Sequence, residues 1–143
     1  MKKYLLDTNI CIHFLKGEFN LQSKIDEVGF ENCFISELTI AELLFGVENS
    51  AENKREQNRQ NVNNLKLSFG IRIMSINPCF ELYAIEKARL KREGTPIGEF
   101  DLIMGCTAII NNMIITTRNI KHLGKIEGIV LENWIDEGTE LGI

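Results

Sequence analysis

Three carboxylates, Asp7, Glu42 and Asp101, stand in apolar surroundings along a chain of 143 residues. Asp7 closes the run Tyr4-Leu5-Leu6, Glu42 is the only charge between Leu38 and Val47, and Asp101 is the only charge between Phe100 and Thr117. An ionised carboxylate in such a place costs several kcal/mol of desolvation unless a cation or hydrogen bonds offset it. Three such acids brought together can share a hard divalent cation, Mg²⁺ or Mn²⁺. Such an ion takes oxygen ligands, keeps several waters and leaves room for a phosphate oxygen beside an attacking water. Two of the acids also have a structural reading. Asp7 is a good N-cap for the helix after it, and Asp101 falls in a first helical turn, where the helix dipole favours an acid by about 0.3–1 kcal/mol. Glu42 is neither at a helix end nor within a turn of a basic residue, so it is the hardest of the three to explain structurally.

The elements that must position these acids follow from hydrophobic spacing. Lys3 to Leu6 reads as a strand and Thr8 to Leu15 as a helix, which aims Asp7 outward where a strand ends, the place where ligands collect in open α/β sheets. Leu21 to Val28 is an amphipathic helix and Cys33 to Ile35 a short strand. Ser36 or Thr39 caps the next helix, which is apolar almost all round through Val47 and is therefore expected to be buried. Ser50 to Ser68 is rich in Asn, Gln, Glu, Lys and Arg, with Val62, Leu65 and Phe69 at helical spacing, and reads as a solvated helical arm. Ile71 to Ile76 is a third strand, Pro78 opens a helix running to about Glu93, and Gly94-Thr95-Pro96 breaks it. Residues 100–110 form the most apolar helix, flowing into a strand at Met113-Ile114-Ile115, and Ile129 to Leu131 is the last strand. Strands separated by helices predict an α/β fold, a parallel sheet covered by helices on both faces in a single domain spanning 1–143.

Composition narrows the function classes. With 44% hydrophobic residues the chain can bury a sizeable core without staples. Cys11, Cys33, Cys79 and Cys106 have neither disulfide-framework nor zinc-like spacing, so reduced, buried thiols in a cytoplasmic protein are expected. No run approaches the ~20 apolar residues of a membrane span. The net charge of −4 argues against a surface that is polyanion-binding throughout, but residues 54–93 carry nine basic groups against four acids. That local excess is compatible with a basic flank beside an acidic pocket, and equally with ordinary solvated helix faces.

Supporting candidates cluster near the second half of the chain. Thr116, Arg118 and Asn119 follow the Met113 to Ile115 strand, whose end is expected to open on the same sheet edge as Asp7. Thr116 and Asn119 there could orient water or metal ligands, and Arg118 and Lys121 could contact phosphate. A polar strand-to-turn junction explains the same residues. Glu99 is either a capping acid or a supporting ligand.

Four blocks in order, LLDTN at the start, SELTIAELLFGVE around Glu42, PIGEFDLIMGCTAI around Asp101 and ITTRNIKHLGKIEGIVLENW near the end, resemble PIN-domain ribonucleases, in particular VapC toxins of bacterial toxin–antitoxin pairs. The resemblance implies a PIN-like parallel sheet between helices, a Mg²⁺- or Mn²⁺-dependent endoribonuclease, a homodimer, and neutralisation by a small antitoxin. Its catalytic and metal-binding acids carry over to Asp7, Glu42 and Asp101. Many members of the family place a further acid where this chain has Asn119, and some place one where it has His122. Hydrolysis by such a site is expected to leave a 3′-hydroxyl and a 5′-phosphate. The alternative is a non-catalytic dimeric interaction module, using the apolar helix around Leu43, Leu44 and Phe45 and the charged arm from Ser50 for its partners.

Overall fold

The alternation of short apolar runs and amphipathic segments resolves, in the computed structural model, into five strands and seven helices over residues 1–136; residues 137–143 of the expected unit lie outside those described. The strands are β1 (Tyr4–Leu6), β2 (Cys33–Ser36), β3 (Ile73–Met74), β4 (Ile114–Thr116) and β5 (Leu131–Glu132), all paired in parallel in the order β3-β2-β1-β4-β5. The helices are α1 (Thr8–Leu15), α2 (Leu21–Val28), α3 (Glu37–Glu48), α4 (Glu52–Phe69), α5 (Phe80–Arg92), α6 (Glu99–Ile110) and α7 (Ile120–Leu123).

Side chains on β1 alternate between two cores, as the two-residue repeat of a strand requires. Tyr4 and Leu6 join Ile10, Leu21, Leu43, Val62 and Phe69 of α1 to α4 on one face. Leu5 joins Ile115 of β4 and Leu90, Leu102, Met104 and Leu123 of α5 to α7 on the other. The sheet is thus buried on both faces, which is why its central strands are apolar without polar alternation. All four cysteines are free and buried within these cores.

Local signals explain most boundaries. Ser36 caps α3, its hydroxyl accepting from Leu38 N at 3.0 Å. In α4 only Val62, Leu65 and Phe69 are buried, one stripe on an otherwise polar helix.

Several expectations are corrected. The third strand shrinks from Ile71–Ile76 to two residues because Gly70–Arg72 turns as a short 3₁₀ segment with Ile71 fully exposed. The last strand lies at Leu131–Glu132 and shares only Leu131 with the expected Ile129–Leu131. A one-turn helix, α7, follows the loop after β4, in a segment to which the sequence assigned no element. Helix α3 is not buried all round: Phe45 is 70% exposed.

Nor do the basic residues of 54–93 make one flank. They divide between α4 and α5, which pack on opposite faces of the sheet. Arg59 pairs with Glu48, Lys87 with Glu99, and Arg89 with Glu86 and Glu93. Arg72 is structural. Its guanidinium donates to the carbonyls of Phe30, Cys33 and Ser68 and lies 4.3 Å from the Phe30 ring centroid.

Candidate active site

β1 ends at Leu6 and α1 begins at Thr8, so Asp7 is left at the carboxyl end of the central strand with extended backbone, as a helix N-cap must have. Its amide donates to Thr116 O of β4 at 3.0 Å, which anchors it beside the neighbouring strand. One carboxylate oxygen accepts from Thr8 N at 2.8 Å and the other from the Thr117 hydroxyl at 2.7 Å. Capping and ligand roles do not exclude each other, because each carboxylate oxygen keeps further acceptor capacity.

Glu42 projects from α3, the helix following β2, and accepts a short hydrogen bond from the Thr8 hydroxyl, which also contacts Thr39 Oγ1 at 3.0 Å. Asp101 sits in the first turn of α6 and accepts from Asn119 Nδ2 at 3.0 Å. Asn119 N in turn donates to Thr117 Oγ1 at 2.8 Å. The Thr117 hydroxyl therefore links the loop after β4 to Asp7, while Asn119 links the same loop to Asp101.

The three acids line one cleft of about 570 Å³ together with Thr8, Asn9 and Asn119; Phe45 and Phe100 form apolar walls, and no basic residue lines it. The exposure of Phe45 is thereby explained: it is a wall of the cleft, not part of the core. Electrostatics follow from this lining. Burial pushes the Asp7 carboxyl above the ordinary range, the Thr117 and Thr8 hydrogen bonds oppose the shift, and the Asp101 charge adds to it. Burial likewise raises Glu42, against its Thr8 hydrogen bond, with Asp7 and Asp101 contributing repulsion.

Uncompensated negative charge of this kind fits a divalent cation, which would lower both carboxyls toward their ionised forms. Among the described residues, however, no three His, Cys, Asp or Glu side chains are close enough to hold a metal ion as they stand. Asp7, Glu42 and Asp101 share a cleft, not a single point.

The remaining candidates separate. Thr116 is fully buried and its hydroxyl lacks a hydrogen-bond partner, so the residue that reaches the acids is its neighbour Thr117. The period of the strand decides this: Thr116 is still in β4 and points into the interior, and only the next residue faces Asp7. Glu99 bonds Lys87 and Tyr83 of α5 and does not line the cleft. Arg118 is held by Asp136, with Nε to Oδ2 at 3.1 Å, and lies over the Phe19 ring. Lys121 and His122 are exposed on α7 and do not line the cleft. Thr8 also belongs to the site because it orients Glu42, and in the sequence only its place directly after Asp7 signals this.

Comparison with known proteins gives the fold and site a family. The PIN domain profile matches residues 4–127. Ribonuclease VapC2 of Rickettsia felis is 32% identical over 133 residues, covering 92% of this chain and 97% of its own length. The tRNA(fMet)-specific endonuclease VapC of Salmonella typhimurium is 27% identical, covering 94% and 99%. The crystal structure of VapBC2 from Rickettsia felis bound to a DNA fragment from its promoter contains a chain that superposes with a TM-score of 0.78, at 30% identity, covering 92% and 98%. With a parallel β3-β2-β1-β4-β5 sheet, acids at its carboxyl edge and a profile match over most of its length, this chain belongs to the PIN domain family, among the VapC ribonucleases.

Proposed function

We propose that the chain is an endoribonuclease toxin that hydrolyses RNA phosphodiester bonds in the cytoplasm, works as a homodimer and is neutralised by a cognate antitoxin. The observation that carries the reading is the single cleft in which Asp7, Glu42 and Asp101 meet without a basic residue, at the carboxyl edge of the sheet. Two relatives support the substrate class. One is named a ribonuclease and the other a tRNA(fMet)-specific endonuclease, which makes transfer RNA the first substrate to try.

In this reading Asp7 and Asp101 hold Mg²⁺ or Mn²⁺, with Glu42 as a further ligand or as the group that orients water. When bound, the ion supplies Lewis acidity toward the phosphate and a lowered pKa for coordinated water. The residues of the chain provide the rest. Thr117 and Thr8 N fix both Asp7 oxygens, and the Thr8 hydroxyl fixes Glu42. Asn119 holds one oxygen of Asp101, leaving Oδ1 without a donor among the described residues. Phe45 and Phe100 form apolar walls beside the acids. Attack by water on phosphorus in line with the 3′ oxygen, which leaves as the 3′-hydroxyl, keeps the phosphate on the 5′ side, so the products are a 3′-hydroxyl and a 5′-phosphate.

Cleavage of total RNA by the purified chain tests this directly, with Mg²⁺, with Mn²⁺ and with chelator, beside Asp7→Asn and Asp101→Asn. Metal-dependent cleavage lost in both variants is expected. Cleavage unaffected by either substitution, or products ending in a 2′,3′-cyclic phosphate, would refute it. In a non-catalytic interaction module, both substitutions would leave partner binding intact and metal would not raise the melting temperature.

A further inference from the structure

A second cleft, of about 300 Å³, opens beside Phe19 and is lined by Phe19, Asn20, Ser23 and Trp134 among others. Phe19 and Asn20 both adopt left-handed backbone, φ 58° and 55°. Asparagine tolerates that region, but a bulky aromatic rarely occupies it, and strain of this kind persists where the surroundings over-determine it. The result is a phenyl ring displayed 47% exposed. Two neighbours hold it. His13 meets it edge-on at 4.8 Å, and the Arg118 guanidinium lies 5.1 Å from its centroid.

Arg118 also ties this cleft to the acids. Its backbone lies between Thr117, which bonds Asp7, and Asn119, which bonds Asp101. Its Nε and Nη2 are engaged by Asp136, while Nη1 donates to none of the described residues. Arg118 therefore stands in the loop that holds both acids, while its guanidinium lies over the aromatic ring.

A half-exposed aromatic ring with an arginine beside it, Asn20 and Ser23 side chains that have no hydrogen-bond partner among the described residues, and a volume near the lower end for ligand pockets match the needs of a splayed-out base. Single-stranded RNA is read by stacking such bases on aromatic or arginine planes and bonding their edges. We propose that the Phe19 cleft is a nucleobase subsite, which stacks a base of the RNA neighbouring the scissile phosphate and so helps set where the chain cuts. This rests on the ribonuclease reading above. Arg118 is a positioning residue here, steadying the ring through its guanidinium.

The only tryptophan of the chain, Trp134, lines the cleft and reports on it. A short single-stranded RNA is titrated in chelator while Trp134 emission is followed, for the wild-type chain, Phe19→Ala, Phe19→Leu and Phe19→Tyr. Saturable change in the wild type, binding weakened about tenfold in Phe19→Ala and Phe19→Leu, and recovery in Phe19→Tyr are expected, because a ring is needed and not mere bulk. With metal, the Ala and Leu variants are expected to raise KM for RNA with kcat little changed. Equal binding and equal KM in all four proteins would overturn the subsite while leaving the ribonuclease standing. Normal RNA binding and cleavage by Phe19→Ala, combined with loss of antitoxin binding, would reassign the cleft to a protein partner. Absence of cleavage by the wild type with either metal would remove the ribonuclease reading itself and this inference with it.

Discussion

Asn119, in the loop after β4, donates its side-chain amide to Asp101 in the first turn of α6 at 3.0 Å. A neutral donor there orients one carboxylate without adding charge to a cleft that already holds three acids. Asn119→Ala frees Asp101 to rotate and is expected to lower metal-dependent cleavage by about 10- to 100-fold, the usual loss when a group supporting a metal ligand is removed. Single-turnover rates across a metal titration check this; an unchanged rate at low metal would show that Asp101 does not depend on Asn119.

Thr117 carries two bonds, donating to Asp7 and accepting from Asn119 N. Replacement by the near-isosteric Val leaves a buried carboxylate and a backbone N–H short of partners. A loss of about 1.5–3 kcal/mol in urea denaturation is expected, with the denaturant slope unchanged. Thr116→Val is the control. Its hydroxyl has no partner, so the same substitution one residue earlier is expected to be neutral or stabilising.

For Asp7 the pH dependence has a definite sign. Burial raises its folded carboxyl above the unfolded value of about 3.9. The ionised form is thus disfavoured by folding, so the penalty is present in full above the folded pKa and disappears as pH falls to the unfolded one. In chelator, Asp7→Asn is therefore expected to melt above the wild type at pH 7.5, with the gap closing toward pH 4. Added Mg²⁺ or Mn²⁺ reverses the order, stabilising only the wild type. A variant that melts lower in chelator at pH 7.5 would contradict the burial account.

Glu86 shows the opposite sign. It is 3% exposed, accepts from Arg89 Nε and Nη2 at 2.9 and 2.8 Å and from Glu127 N at 2.9 Å, and is held below the usual carboxylate range by Arg89. Its contribution to stability is present above the ordinary carboxylate pKa and is lost as pH falls through the lowered value. Arg89 further donates to Lys125 O at 2.9 Å, so this pair fastens α5 to the turn after α7. Arg89→Ala is expected to cost about 3–5 kcal/mol at pH 7, because it strands a buried charge. Glu86→Gln with Arg89 retained is expected to cost less; calorimetry of the two variants separates them.

How far the residues alone reached depends on the range of the interactions involved. Helix bounds at Thr8–Leu15, Leu21–Val28 and the stripe of Val62, Leu65 and Phe69 were legible because capping and 3.6-residue spacing are local. Asp7, Glu42 and Asp101 stood out because an acid among apolar residues is costly, and the fold gives them one cleft. The choice of Thr116 over Thr117 failed by one residue, since the end of β4 determines which hydroxyl faces Asp7. The burial of Glu86 was not legible, because Glu127 N, in the turn it is fastened against, lies 41 residues away along the chain. The basic excess of 54–93 was a property of the sequence but not of any one surface, because α4 and α5 flank opposite faces.

The bond between Thr117 and Asp7 joins positions 110 residues apart, and β1 lies between β2 and β4 in the sheet. A ribosome adding about 5–20 residues per second needs roughly 5–20 s to pass from the first acid to the residue that fixes it. Asp7 emerges directly after β1, yet that central strand lacks one of its two neighbours until β4 has emerged. The bond that fixes Asp7 therefore cannot form until Thr117 has followed β4 out of the ribosome, and a product cut short before Thr117 lacks it.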